Sequence, residues 1–121
     1  MSHAERKDLV DRQRPYVLEQ VEHMRKRGYL FADWVVLFVV ADPADADAMK
    51  LARMCGWQEN SGTDLLCVLT SRAELCATMR ANKILEAGIV EQTIQPGKLR
   101  CVVFDQGIGI VDVDVPLSIG N

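Results

Sequence analysis

Two segments of this sequence are apolar at almost every position, and they constrain the fold more than any other feature. They are residues 34–41 (WVVLFVVA) and residues 65–70 (LLCVLT). A strand with one face in water alternates apolar and polar residues, whereas continuous hydrophobicity is typical of a strand covered on both faces. Both segments are far shorter than the ~20 apolar residues that a helix needs to cross a bilayer. The sequence therefore predicts two doubly covered strands and no membrane partner.

A charged amphipathic segment precedes the first strand. Ser2 and Glu5 form a capping box, and apolar residues then recur at helical spacing up to a glycine stop. Pro15 interrupts this pattern because it lacks an N–H donor and clashes with the preceding turn. We expect one kinked helix or two short helices over residues 3–27.

Two more helices are predicted, one after each apolar strand. Asp42 is the expected N-cap of the first, with a proline next to it and an apolar stripe over residues 44–55. A second capping box, at residues 71–74, opens the other helix, which we expect to extend to about residue 87 and to end at Gly88.

The remaining strand signals are weaker. A short edge strand is expected at residues 57–59, and three further strands at residues 89–94, 99–104 and 111–115. The last of these alternates strictly (VDVDV), so it has one face in water. We expect the chain to end in a β-meander.

This order predicts an α+β, ferredoxin-like two-layer sandwich, with a mixed sheet and two crossover helices, plus the N-terminal helix and the C-terminal meander. Its central strands are expected to be residues 34–41 and 65–70. The alternative is a small three-layer α/β fold. The 121 residues suit a single domain, with residues 1–28 as a basic helical segment and residues 29–121 as the body.

Charge and cysteine content exclude several classes of protein. The net charge of −3 divides into +2 over residues 1–28 and −5 over the rest, which is too mild to predict a nucleic-acid binder from charge alone. The cysteines lie on predicted apolar faces without CxxC spacing, so we expect reduced core thiols, a cytoplasmic location and no cofactor. They are Cys55, Cys67, Cys76 and Cys101.

The second apolar face of the sheet needs a cover. Both crossover helices lie on one face, and an exposed apolar patch of several hundred Å² is rare on a monomer. The N-terminal helix can fold back over this face, or a second copy or another protein can cover it. The sequence leaves both alternatives open.

A carboxylate cluster is the first candidate site. Asp42, Asp45 and Asp47 follow the end of a predicted central strand, where three carboxylates can hold Mg²⁺ or Mn²⁺. Acids at the start of a helix also cap it and complement its dipole. Both interpretations stay open.

A second candidate is an anion site at Ser71 and Arg72, where free helix N–H groups and a guanidinium can bind phosphate or carboxylate. No glycine-rich phosphate loop accompanies these residues. The alternative is that Ser71 only caps the helix.

The basic N-terminal segment is the third candidate. Cations next to an aromatic ring are how single-stranded nucleic acid or an acidic partner is held. The alternative is a helix end with favourable cations. The residues concerned are Arg12, Arg14, Arg25, Lys26, Arg27 and Tyr29.

These patterns favour a small intracellular regulatory or protein-interaction module without catalytic activity. Docking would use the apolar sheet face, the basic helix or both, with a second copy or another protein as partner. The alternative is a metal-dependent enzyme that processes nucleic acid or acts on a phosphate ligand, with Asp42 and Asp45 as metal ligands and the basic helix holding phosphates. No complete catalytic motif supports it.

Overall fold

The computed structural model describes residues 1–28, 34–59, 62, 64–84, 87–91 and 98–114. Its elements in chain order are α1 (His3–Lys26), β1 (Trp34–Val40), α2 (Ala46–Met54), β2 (Leu65–Ser71), α3 (Arg72–Ala81), α4 (Ala87–Val90), β3 (Lys98–Phe104) and β4 (Ile108–Asp114). Among the described residues, none of these helices has both the length and the apolar character needed to cross a membrane.

The strands form one mixed sheet in the order β2-β1-β3-β4. β1 runs parallel to β3 and antiparallel to β2, and β3 runs antiparallel to β4. The predicted α+β class is confirmed, but this order does not confirm the ferredoxin-like arrangement. Residues 57–59 form no strand, and β2 lies at an edge rather than at the centre.

Helices cover both faces of the sheet. On one face, α2, α3 and α4 bury the side chains of Val35, Leu37 and Val39 from β1 together with those of Val102 and Phe104 from β3. We call this the α2/α3 face. The layers therefore follow the three-layer alternative in having helices on both sides of the sheet.

α1 covers the opposite face, which we call the α1 face. Its apolar residues at helical spacing pack on Val36 and Phe38 of β1 and on the neighbouring side chains of β3 and β4. The buried residues of α1 are Leu9, Val10, Val17 and Val21. The N-terminal helix is thus the cover of the second face in this structure. It is one continuous helix with Pro15 inside it, and Ser2 and Glu5 form the predicted capping box.

Three predicted boundaries were wrong. α2 starts later than expected because Asp45, not Asp42, is its N-cap. α3 ends at Ala81, since Lys83 adopts φ +59 and the chain turns there. Residues 87–90 then form α4, so Gly88 lies inside a helix rather than ending one. The strand expected at 89–94 is helical at its start, and residues 92–94 lie outside the described part of the chain.

Candidate docking surface along β2

β2 is an apolar strand at the edge of the sheet. All seven of its residues are half-buried, whereas residues 35–39 of the neighbouring β1 are at most 3% exposed. Leu66, Val68 and Thr70 lie on the α2/α3 face, since they pair with Val39, Leu37 and Val35. Leu65, Cys67 and Leu69 lie on the α1 face, at the margin of the cluster that α1 covers. Both helical layers therefore leave β2 incompletely covered.

The hydrogen-bond pattern shows which backbone groups of β2 point away from the sheet. The N–H of Ala41 donates to the carbonyl of Asp64 at 2.7 Å, so Asp64 points toward β1. Backbone direction alternates along an antiparallel strand. Leu65, Cys67 and Leu69 therefore direct their N–H and C=O groups outward, and within the described part of the chain no backbone group pairs with them.

The two edges of the sheet differ in protection. The β4 edge carries Asp112, which pairs with Arg100, and Gly109, over which the Arg6 side chain packs so closely that a Cβ there would overlap it. The β2 sequence, LLCVLTS, contains no charge, proline or glycine. Natural sheets use such residues to keep edges from pairing with other chains. Among the described residues, β2 is thus the edge without such protection.

A groove of about 550 Å³ lies beside β2 on the α2/α3 face. Val68 and Thr70 of β2 contribute to its wall, Leu51 and Met54 come from α2, and Leu75 comes from α3. Met54 is 53% exposed, which is unusual for so large an apolar side chain. The groove extends the apolar surface of the edge onto the helices.

Cys67 is a half-buried, protonated thiol in this surface. Burial raises the pKa of its thiol to about 11, so almost none of it is thiolate at neutral pH. Its role in the surface is therefore that of a small apolar side chain.

Protein groups engage each carboxylate of the predicted cluster. Asp42 accepts the N–H of Ala44 at 2.9 Å, and Asp45 accepts both the N–H of Ala48 at 3.2 Å and that of Gln106 at 2.7 Å. Asp47 pairs with a lysine one turn along α2. Among the described residues, no group of three or more His, Cys, Asp and Glu side chains is arranged to hold a metal ion. Asp42 and Asp45 hold the start of α2 to Gln106 in the β3–β4 turn.

The predicted anion site is also occupied by protein groups. The hydroxyl of Ser71 accepts the N–H of Glu74 at 3.1 Å and caps α3. Arg72 is half-buried and donates to the carbonyl of Glu91 at 3.0 Å. The structure thus places both residues together at the start of α3, in contacts with the chain itself.

Part of the basic charge of α1 is paired with acids on the same helix. Arg12 pairs with Asp8 at 3.1 Å, and Arg25 pairs with Glu22 through two hydrogen bonds of 2.9 and 2.6 Å. Arg14 is half-buried, and Lys26 and Arg27 are exposed at the C-terminal end of α1. Tyr29 lies outside the described residues. The cations are therefore spread along the helix, and two of them, Arg12 and Arg25, pair with acids of the same helix.

Comparison with protein-family models, with curated proteins and with solved structures gave no significant match.

Proposed function

We propose that this chain is a non-catalytic protein-interaction module that docks a partner along β2. The observation that carries the proposal is an edge strand of seven uncharged, half-buried residues, in which Leu65, Cys67 and Leu69 point their backbone groups outward. Such an edge binds an extended segment by β-strand addition, in which main-chain hydrogen bonds give affinity and side-chain pockets give specificity.

The position of the helices supports this surface over the sheet face that the sequence favoured. α1 occupies that face over β1, β3 and β4, and its side chains there are buried. Docking through the face would require α1 to leave, whereas none of the described elements pairs with the outward side of β2. The basic helix is a weaker docking surface, since three of its cations, Lys7, Arg12 and Arg25, are paired with acids of the helix.

The test compares two substitutions at one position of the edge. Cys67→Pro removes an N–H that points outward and leaves the β1 side of the ladder intact, whereas Cys67→Ala keeps that N–H. The wild-type chain, immobilised at low density, selects peptides from a displayed random library. We expect uncharged extended peptides that bind Cys67→Ala as they bind the wild type and bind Cys67→Pro at least about tenfold more weakly, a loss of about 1.4 kcal/mol.

Circular dichroism and urea unfolding of both variants check that the sheet is retained. Peptides that bind the two variants equally well, or a selection without enrichment over the bare support, would contradict docking at this edge.

A further inference from the structure

We propose that the partner at this edge is a second copy of the chain, whose β2 pairs antiparallel with β2 of the first across a two-fold axis at Val68. This inference rests on the proposed function and names its partner. The two four-stranded sheets then form one continuous eight-stranded sheet. Such an interface is isologous, with the same strand on both sides.

The direction of the outward backbone groups fits this register. With the axis at Val68, Cys67 of one copy lies opposite Leu69 of the other, and Leu65 lies opposite Ser71. Leu65, Cys67 and Leu69 are the residues whose N–H and C=O groups point outward. Facing residues of this kind exchange two backbone hydrogen bonds. The carbonyl of Ser71 belongs to the start of α3 and is not free to accept one. The four facing pairs of the interface therefore form about six hydrogen bonds.

The charges that flank β2 favour self-pairing in this orientation. Asp64 precedes the strand and Arg72 follows it, with no charge between them. Antiparallel pairing about Val68 brings Asp64 of one copy to the end of the interface at which α3 of the other copy begins with Arg72, and does so at both ends. A parallel pairing in register would instead place like charges together. The charges that flank β2 are therefore complementary to those of a second, antiparallel β2.

The side chains match as well. Antiparallel pairing keeps facing residues on the same side of the sheet. On the α1 face, the half-buried strip of Leu65, Cys67 and Leu69 continues into the same strip of the second copy. On the α2/α3 face, Val68 meets Val68 beside the apolar groove. Pairing with a second β2 thus covers both partly exposed sides of the strand with apolar side chains. A partner strand that carries charges would not cover them in this way.

Val68 gives a test with complementary charges, because it faces itself across the axis as a close, non-hydrogen-bonded pair. We expect sedimentation equilibrium of the wild type at about 100 μM to give twice the monomer mass of 13.5 kDa. Val68→Lys and Val68→Glu are each expected to be monomeric under the same conditions, since like charges meet at the axis. An equimolar mixture of the two variants is expected to recover the dimer mass.

A cross-link provides the second measurement. Val68→Cys places two thiols on Cα atoms about 4.5 Å apart, within the range of a disulfide, so mild oxidation is expected to give a covalent dimer. Wild type, which has Cys67 instead opposite Leu69, is the control and should remain uncross-linked. Circular dichroism of each variant confirms that its fold is retained.

Three results overturn the proposal: a wild-type chain that stays monomeric, a dimer that survives Val68→Lys, or a mixture of variants that remains monomeric. None of them decides the proposed function, because the peptide selection with Cys67→Pro and Cys67→Ala tests docking of any extended partner. A monomeric wild type that still selects peptides at the edge would leave docking intact and remove the self-pairing.

Discussion

Replacing Asp112 by alanine is expected to destabilise the fold by about 2–3 kcal/mol, because it strands a buried guanidinium. Arg100 of β3 and Asp112 of β4 face each other across the sheet. The Arg100 Nε donates to Asp112 Oδ1 at 3.0 Å, and Nη2 donates to Oδ2 at 3.4 Å. The remaining nitrogen, Nη1, is buried, and no group of the described residues accepts a hydrogen bond from it. Asp112 is therefore the main compensation for this charge.

The magnitude follows from the unequal burial of the two side chains. Removing one partner of a fully buried ion pair costs about 3–5 kcal/mol. The Arg100 side chain is 10% exposed and the Asp112 side chain 24%, so water partly reaches the site once the carboxylate is gone. This screening lowers the expected loss to about 2–3 kcal/mol. Arg100→Met leaves only the more exposed carboxylate and should cost about 1 kcal/mol.

A double-mutant cycle measured by urea unfolding tests this reasoning. Arg100→Met with Asp112→Ala removes both charges, so the double variant is expected to lie within about 1 kcal/mol of the wild type. Asp112→Asn is the control that keeps the shape and one acceptor, and it should fall between wild type and Asp112→Ala. If the two single losses simply add, or if Asp112→Ala costs less than about 0.5 kcal/mol, the buried-charge argument is wrong.

Three further predictions concern other parts of the fold. Asp45→Ala should lower the free energy of unfolding by about 2 kcal/mol, since it removes the cap of α2 and the hydrogen bond to the β3–β4 turn. Asp47→Ala is the control and should lower it by less than about 1 kcal/mol. Equal losses of stability in thermal unfolding would refute the role of Asp45 as the cap. Pro15→Ala should raise stability by about 1–3 kcal/mol and increase the helical circular dichroism signal, because Pro15 is exposed inside a continuous helix; an unchanged or lower stability would speak against that helix. Burial raises the pKa values of Cys67 and Cys101 to about 11 and about 12, above the ordinary value of 9.0, so their contribution to stability is full below pH 9.0 and is lost as pH rises through the folded pKa values. The variant with alanine at both positions should therefore lose less stability than the wild type in alkaline urea titrations, and identical losses would contradict the assignment.

The local elements were largely predictable from the sequence because they depend on neighbours in the chain. The two apolar segments are strands. Ser2 and Glu5 form the predicted capping box, whereas at Ser71 only the N-cap half of the second box is formed, and both serines begin helices. Side-chain spacing and the first-turn hydrogen bonds decide these features within a few residues. The prediction of Asp42 as the cap of α2 was wrong by three residues. Asp42 accepts the N–H of Ala44 ahead of the helix, whereas Asp45 accepts the N–H of Ala48 in its first turn.

The end of α3 was not predictable from periodicity. Apolar residues continue past Ala81 at helical spacing, so the pattern predicted one helix to about residue 87. In the structure the left-handed Lys83 ends the helix, and the N–H of Ile84 bonds back to the carbonyl of Met79 at 2.9 Å. A left-handed conformation at a residue other than glycine depends on its surroundings, and no sequence signal marks it here.

The order of the strands, and with it the candidate site, depends on long-range pairing. Hydrophobicity predicted that residues 34–41 and residues 65–70 are each covered on both faces. The structure covers both faces of β1 but covers β2 only in part. An edge strand is expected to alternate or to carry charges, and β2 does neither. Where a local pattern and the position of an element disagree, the site is expected to be functional or strained. The backbone of β2 forms a regular ladder with β1, so strain does not explain the disagreement. Pairing with a second β2 would give this strand the neighbour on its open side, and the cover on both faces, that its sequence predicts.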